Sequence, residues 1–141
     1  MSKWIKRLGV AFIVALIAVQ FVPVNRSNPP VETKPVMSAE LEPVVRRACY
    51  DCHSNETRWP WYTGVAPISF LIARDVQEGR RELNFSTWDR YDERRKARKL
   101  NEIVKEVERG TMPPWYYVPV HPDARLSPAE QELIVRWAKP R

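Results

Sequence analysis

Two cysteines and a histidine stand close together in the order Cys-Tyr-Asp-Cys-His, over residues 49–53. Because Cys49 and Cys52 are three positions apart, a helical turn places both thiols on nearly one face. Each thiol can then add to one vinyl group of the same porphyrin, while His53 lies under the ring and can ligate the iron. This spacing is the attachment signature of a c-type haem. We therefore expect one covalently bound haem c, with Cys49 and Cys52 as its thioethers and His53 as the proximal iron ligand.

Three other uses of these residues compete with haem attachment. In an oxidising compartment, Cys49 and Cys52 could form a structural disulfide. A thioredoxin-like redox pair needs a βαβ context, and no series of strands is evident in the sequence. A zinc site needs four ligands. The chain has only two cysteines and two histidines, so all four would be used, with Cys52 and His53 adjacent. Haem attachment fits best.

A sixth ligand for the iron would come from another part of the chain, and three residues can serve. Met112 is followed by Pro113 and Pro114, which fix the backbone and remove two hydrogen-bond donors, so its thioether can be aimed at a metal. Met37 lies in a proline-rich stretch, and His121 precedes a proline in a loop. We expect Met112 to be the distal ligand. His121 and an open or water-ligated iron are the alternatives, and many methionines simply fill a core.

Aromatic side chains are frequent directly after the attachment motif. Trp59, Trp61 and Tyr62 are tethered close to His53, so we expect a loop whose rings contribute to the wall of the haem site. Arg58 could reach a haem propionate. The competing interpretations are ordinary core packing for the three rings and a solvated side chain for Arg58.

The first 24 residues are typical of a targeting or anchoring segment. Three basic residues precede residues 8–24, which are apolar except for Gln20. These 17 residues are at the lower edge of a membrane-spanning helix. We favour an uncleaved signal anchor over a cleaved signal peptide, because no small-x-small cleavage site is followed by polar sequence. The basic start predicts that Met1 stays in the cytoplasm and that the rest is exported.

Haem attachment to this motif takes place outside the bacterial cytoplasmic membrane, which agrees with an exported chain. We therefore expect the protein on the bacterial periplasmic side, anchored to the cytoplasmic membrane, or exported if the segment is cleaved.

The rest of the chain divides into a linker and one domain. Residues 25–37 contain three prolines and few apolar residues, which predicts an extended linker, and residues 38–141 suit a single haem-binding domain. The formal net charge of +6 includes three positive charges in the N-terminal segment, so the remainder carries only +3. Its basic residues alternate with acidic ones along helical stretches, as on solvated helix faces. No nucleic-acid role is therefore expected.

Hydrophobic periodicity predicts an all-α domain. We expect helices over residues 39–49, 67–78 and 92–109, and a last helix from Pro128 to near Pro140. Gly79 and Gly110 are placed to end the second and third helices, and Ser86 with Asp89 has the spacing of a capping box before the third. A second capping box, at residues 127–130, opens the last helix.

The same periodicity assigns an inner face to each helix. The residues expected on these faces are Val44, Val45 and Ala48; Ile68, Leu71, Ile72 and Val76; Ala97, Leu100, Ile103, Val104 and Val107; and Leu133, Ile134 and Trp137. The charge run over residues 94–99 is expected to be solvated.

The order of these elements resembles the class I cytochrome c architecture: a helix, the attachment motif, further helices, a methionine loop and a C-terminal helix. A closer resemblance is to the bacterial haem-binding domain family of exported c-type proteins. It is carried by Cys-Tyr-Asp-Cys-His-Ser-Asn-Glu-Thr-x-Trp-Pro-Trp-Tyr at residues 49–62, Gly-x-Met-Pro-Pro at residues 110–114 and His-Pro-Asp-Ala-Arg-Leu-Ser at residues 121–127. Over roughly residues 40–138, the resemblance implies a cytochrome c-like helical fold around one haem with a distal methionine. It implies no particular redox partner.

Two classes of function compete for such a site. An iron with two protein ligands has no vacant position, so it would carry electrons and bind no substrate. A gas sensor or a peroxidase-like enzyme would instead need an open distal position and a nearby acid or base, for which His121 or Arg58 are the candidates. We favour the non-enzymatic electron carrier, because the sequence has no clear distal His/Arg pair. The redox partner protein cannot be read from the sequence.

Overall fold

The computed structural model describes residues 3–139, and in that range the chain forms five α-helices and no strand. The helices are α1 (Lys3–Val19), α2 (Leu41–His53), α3 (Ile68–Glu82), α4 (Glu93–Glu108) and α5 (Pro128–Ala138). Single turns of 3-10 helix lie at Trp61–Gly64, Trp88–Arg90 and Pro122–Ala124. The all-α prediction for the domain is therefore confirmed.

The hydrophobic core forms where α2 packs on α3 and α5, and where α4 packs on α5. The predicted inner face of α2 is buried at Val44, Val45 and Ala48. The ring of Tyr50, which lies inside the attachment motif, stacks on buried Phe85 with centroids 5.5 Å apart. Because α2 runs through to His53, its packing also fixes the position of the motif.

Helix α3 differs from its prediction in two ways. It continues through Gly79 to Glu82, and its buried face carries small residues, so the assignment of Ile68 and Leu71 to that face was wrong: they are 49% and 53% exposed. A Cβ on Gly79 would lie 2.5 Å from the carbonyl oxygen of Cys52. The glycine is there because α3 approaches the backbone of α2 too closely for any side chain.

The observed ends of α4 and α5 agree only in part with those predicted from the sequence. Asp92 caps α4, accepting a hydrogen bond of 2.8 Å from the backbone of Arg95, so the predicted box at Ser86 is wrong: Ser86 is buried and not at a helix start. Gly110, at φ 68°, follows α4 as predicted. The capping box before α5 is also present. The predicted stop at Pro140 lies outside the described residues.

Helix α1 is exposed along almost its whole length. Within residues 3–139, none of the helices has both the length and the apolar character needed to cross a membrane, so the expected membrane anchor is not supported. The prediction that Met1 stays in the cytoplasm concerns a residue outside the described range. The amide of Gln20 pairs with both backbone groups of Ala66, at 3.0 and 3.1 Å, which fastens the end of α1 to the start of α3.

Residues 25–37 are extended, as expected of the linker, but they pack along the helical body. Asn28 donates a hydrogen bond of 2.9 Å to the carbonyl oxygen of Thr57. Thr33 forms an isolated parallel bridge with Thr87. The segment therefore belongs to the folded body and is not a free tether.

Candidate functional site

His53 is the last residue of α2, and main-chain atoms hold its ring. Its Nδ1 lies 2.9 Å from the carbonyl oxygen of Gly79 and 3.2 Å from that of Leu83. Because carbonyl oxygens only accept, Nδ1 carries the proton and Nε2 has its lone pair available. Burial lowers the pKa of His53, which favours the neutral ring. This is the tautomer and the second-shell bond expected of a metal-ligating histidine.

Both thiols of the motif are free and partly buried. Burial, helped by the neighbouring thiol, raises the pKa of Cys49 to about 12. Burial and the carboxylates of Asp75 and Asp51 likewise raise the pKa of Cys52 to about 12. Both thiols therefore keep their protons at neutral pH. Among the described residues no group of three or more potential ligands could hold a metal ion, so zinc is not supported.

Two cavities of about 280 and 260 Å³ flank His53. Both are lined by Cys49, His53, Glu82 and Met112, and Cys52 lines the second. Together they reach the range of about 300–1,000 Å³ typical of small-molecule sites. The combined space has Cys49, Cys52 and His53 on its wall, so these residues could hold a haem there.

The first cavity has an apolar wall that sequence reasoning missed in part. The side chains that form it include Leu83, Phe85, Ile103, Val107, Ile134 and Trp137. Lys99 also lines it, although it lies within the charge run predicted to be solvated. It is only 9% exposed, and its Nζ lies 2.9 Å from Glu102. That prediction was wrong at Lys99, because α4 turns this side chain toward the cavity.

Met112 is the one candidate distal ligand that shares both cavities with His53 within the described chain. Met112 follows the end of α4, and its backbone nitrogen donates a hydrogen bond of 3.4 Å to the carbonyl oxygen of Glu106 in the last turn of that helix. Its side chain is partly exposed. Met37 instead packs against the hydrophobic core.

His121 lies elsewhere, on a third cavity of about 460 Å³ that His53 does not line. Its Nε2 accepts a hydrogen bond of 2.8 Å from the hydroxyl of Tyr62. Its Nδ1 lies 3.2 Å from the carbonyl oxygen of Tyr117, to which it donates. Both ring nitrogens therefore have partners, and the structure does not bring His121 to His53.

The residues expected as haem wall or propionate contacts have other surroundings. Trp61 is 83% exposed, and Trp59 donates to Asn28 at 3.3 Å. Neither tryptophan lines the two cavities at His53, and Tyr62 and Arg58 line the third.

Arg58 forms a two-pronged ion pair with Asp51, inside the attachment motif. Its Nη2 lies 2.9 Å from Oδ2 and its Nε 3.3 Å from Oδ1. The hydroxyl of Tyr117 donates to the same Oδ2 at 2.7 Å. Burial by itself raises the pKa of Asp51, but the bonds from Arg58 and Tyr117 outweigh it and lower the pKa. Asp51 is therefore ionised, and its carboxylate joins α2 to the loop at Arg58 and to the segment at Tyr117.

Sequence reasoning did not single out Asp51, Tyr117 or the true role of Gly79. Asp51 occupies a variable position of the motif, and Tyr117 lies 66 residues away. Gly79 did carry a signal, but a glycine near a helix end is first interpreted as a stop.

Comparison with known proteins gives one clear result. No curated protein and no solved structure matches the chain. Residues 14–140 match the haem-binding domain family, a range that includes α2 to α5 and every residue that lines the two cavities at His53. The site geometry and this match agree, and the chain belongs to the haem-binding domain family.

Proposed function

We propose that this chain is a bacterial monohaem c-type cytochrome, similar to class I cytochromes c, that transfers electrons. The observation that carries the proposal is the pairing of His53 and Met112 on the same two cavities, with the His53 Nε2 left available. When bound, haem supplies a one-electron iron couple, whose potential histidine–methionine ligation raises.

In this proposal each residue of the site has one task. Cys49 and Cys52 would form the thioether bonds, and His53 would ligate the iron from the end of α2 in an orientation set by the Gly79 carbonyl. Met112 would supply the second protein ligand from the cavities that it shares with His53. The apolar wall of the first cavity excludes water, as an electron carrier needs.

An open distal site, as in a sensor or a peroxidase-like enzyme, has less support. Such a site needs an acid or base near the iron. Arg58 is engaged by Asp51, and His121 by Tyr62 and Tyr117. With both candidates held by other partners, the carrier is the better supported function.

The optical spectrum of the protein, matured in a host with haem-attachment machinery, tests this proposal. The haem should survive denaturing electrophoresis, and the ferric protein should show the red-region sulfur-to-iron charge-transfer band. Met112→Ala should remove that band, lower the reduction potential and admit carbon monoxide. His121→Phe is the matched control, because it keeps an aromatic ring beside Tyr117 but cannot ligate. Ready binding of carbon monoxide by the wild type, or loss of the band in His121→Phe alone, would refute the assignment.

The proposed site of action is outside the cytoplasm, on the periplasmic side. The support is the exposed helix α1, which is basic in its first two turns and apolar in the rest, together with the place where such motifs receive haem. Replacing residues 1–24 by a cleavable export signal should yield a soluble, haem-loaded domain. The same deletion without any signal should yield haem-free protein, and haem loading in the cytoplasm would contradict the proposed location.

A further inference from the structure

The segment that carries Met112, here called the distal segment (residues 112–121), crosses from the end of α4 to the attachment motif. At its start, the backbone of Met112 is tied to Glu106. Further along, two consecutive tyrosines donate hydrogen bonds to carboxylates on α3 and α2. Tyr116 donates to Asp75 at 3.2 Å, and Tyr117 donates to Asp51 at 2.7 Å.

The two tyrosine–aspartate contacts differ in kind. The bond from Tyr116 is longer and exposed, whereas that from Tyr117 is short and partly buried. Asp51 is only 9% exposed, and it also accepts from the backbone nitrogen of Arg58, at 2.9 Å. Hydrogen bonds to an ionised, desolvated carboxylate are roughly twice as strong as neutral ones.

The ring of Tyr117 is also restrained from the side. It stacks on His121, with centroids 3.9 Å apart and planes at 13°. The hydroxyl of Tyr117 is therefore presented to Asp51 by a packed ring, so little side-chain entropy is lost in forming the bond.

We propose that the Tyr117–Asp51 hydrogen bond is a positioning contact that keeps Met112 at the two cavities that it shares with His53. This inference rests on the proposed function and adds to it a control on the distal side. The bond joins the distal segment to the same helical turn that carries both attachment cysteines. The turn that attaches the cofactor thereby also sets how firmly the sixth ligand is held, at a position only five residues from Met112.

Tyr117→Phe tests the inference, because it removes one hydroxyl and keeps the ring. A bond to a charged group is worth about 10- to 100-fold in an equilibrium. Carbon monoxide affinity of the ferrous protein should therefore rise by about tenfold or more, the ferric charge-transfer band should weaken, and the potential should fall. Tyr116→Phe is the matched control, since it removes the neighbouring hydroxyl from an exposed bond, and its effect should stay below about threefold.

Two variants of Asp51 test the acceptor of this hydrogen bond. Asp51→Asn keeps an acceptor for Tyr117, so it should weaken the band less than Asp51→Ala does.

Met112→Ala separates a failure of this inference from a failure of the proposed function. If Met112→Ala opens the iron but Tyr117→Phe and Tyr116→Phe behave alike, the positioning role is refuted and the proposed function stands. If Met112→Ala changes neither band nor carbon monoxide binding, the proposed function itself fails. Haem staining and far-UV circular dichroism of each variant confirm that the protein has folded and is loaded.

Discussion

The two sides of the site are built in different ways. On the attachment side, the His53 ring is held by the carbonyl of Gly79 in α3 and by that of Leu83 just after it, and α3 lies against the backbone of α2 at Gly79. On the distal side, Met112 belongs to an irregular segment whose contacts with α2 and α3 come from tyrosine side chains. A helix–helix backbone contact tolerates most substitutions, whereas side-chain contacts can be removed one at a time. The attachment side is thus the fixed half, and the distal side the adjustable half.

Among the variants that test this difference between the two sides, the one that lacks both attachment thiols should show the largest effect. Cys49→Ser with Cys52→Ser leaves no group that can bond to a vinyl carbon, so no haem should survive a denaturing gel with a peroxidase stain. The domain should also be less stable, because the two cavities would lose the apolar group proposed to fill them. The single variants, each with one thiol, serve as the graded control. A double variant that still stains would contradict covalent attachment at these residues.

Gly79→Ala should break the fixed half without touching a ligand. The new Cβ would meet the Cys52 carbonyl at 2.5 Å, a main-chain atom that cannot rotate away. Forcing α3 outward should lower the free energy of unfolding by about 1–3 kcal/mol and disturb the His53 bond. Urea denaturation measures the first, and the haem spectrum the second.

Gly9→Ala is the matched control for that variant, because a Cβ there would meet no atom within 4 Å apart from the adjacent backbone of its own helix. Its effect should stay within about 0.5 kcal/mol. Equal stability of the two glycine variants would show that α3 does not depend on the close approach.

A smaller effect is expected at Glu130, which belongs to neither half. Its bond from the Ser127 backbone, together with the pairing to Arg47, lowers the pKa of Glu130 in the folded protein. A lowered folded pKa adds stability above the unfolded value of about 4.3, and this is lost as the pH falls through the folded value. Glu130→Gln should therefore destabilise by less than about 1 kcal/mol at pH 7.

Urea denaturation at about pH 7 and about pH 3 tests this sign, because the glutamine variant has no charge to lose over that range. The difference between wild type and variant should shrink at the lower pH. A difference that grows on acidification would contradict the assigned direction.

The sequence predicted best what is local. The attachment motif is contiguous, and the burial of Val44 and Val45 follows from a single helical period. The roles of Gly79 and Lys99 depend on what packs against them, which no period within one helix reveals. The Tyr117–Asp51 bond joins residues far apart in the chain, and neither one has a local pattern that marks it. The prediction that Ile68 and Leu71 are buried failed for the same reason. The close approach of α3 to α2 required small residues on the inner face of α3, and these two side chains are exposed.

The hydrogen bond from His53 to a carbonyl oxygen bears on how much electron density the imidazole can give. An ionised carboxylate in that place would draw the Nδ1 proton toward itself and make the ring a stronger donor. The carbonyl of Gly79 is neutral, so the ring keeps its proton and donates more weakly at Nε2. A weaker donor at Nε2 would stabilise the higher oxidation state of a bound metal less, so the Gly79 carbonyl would favour the reduced form of an iron held by His53.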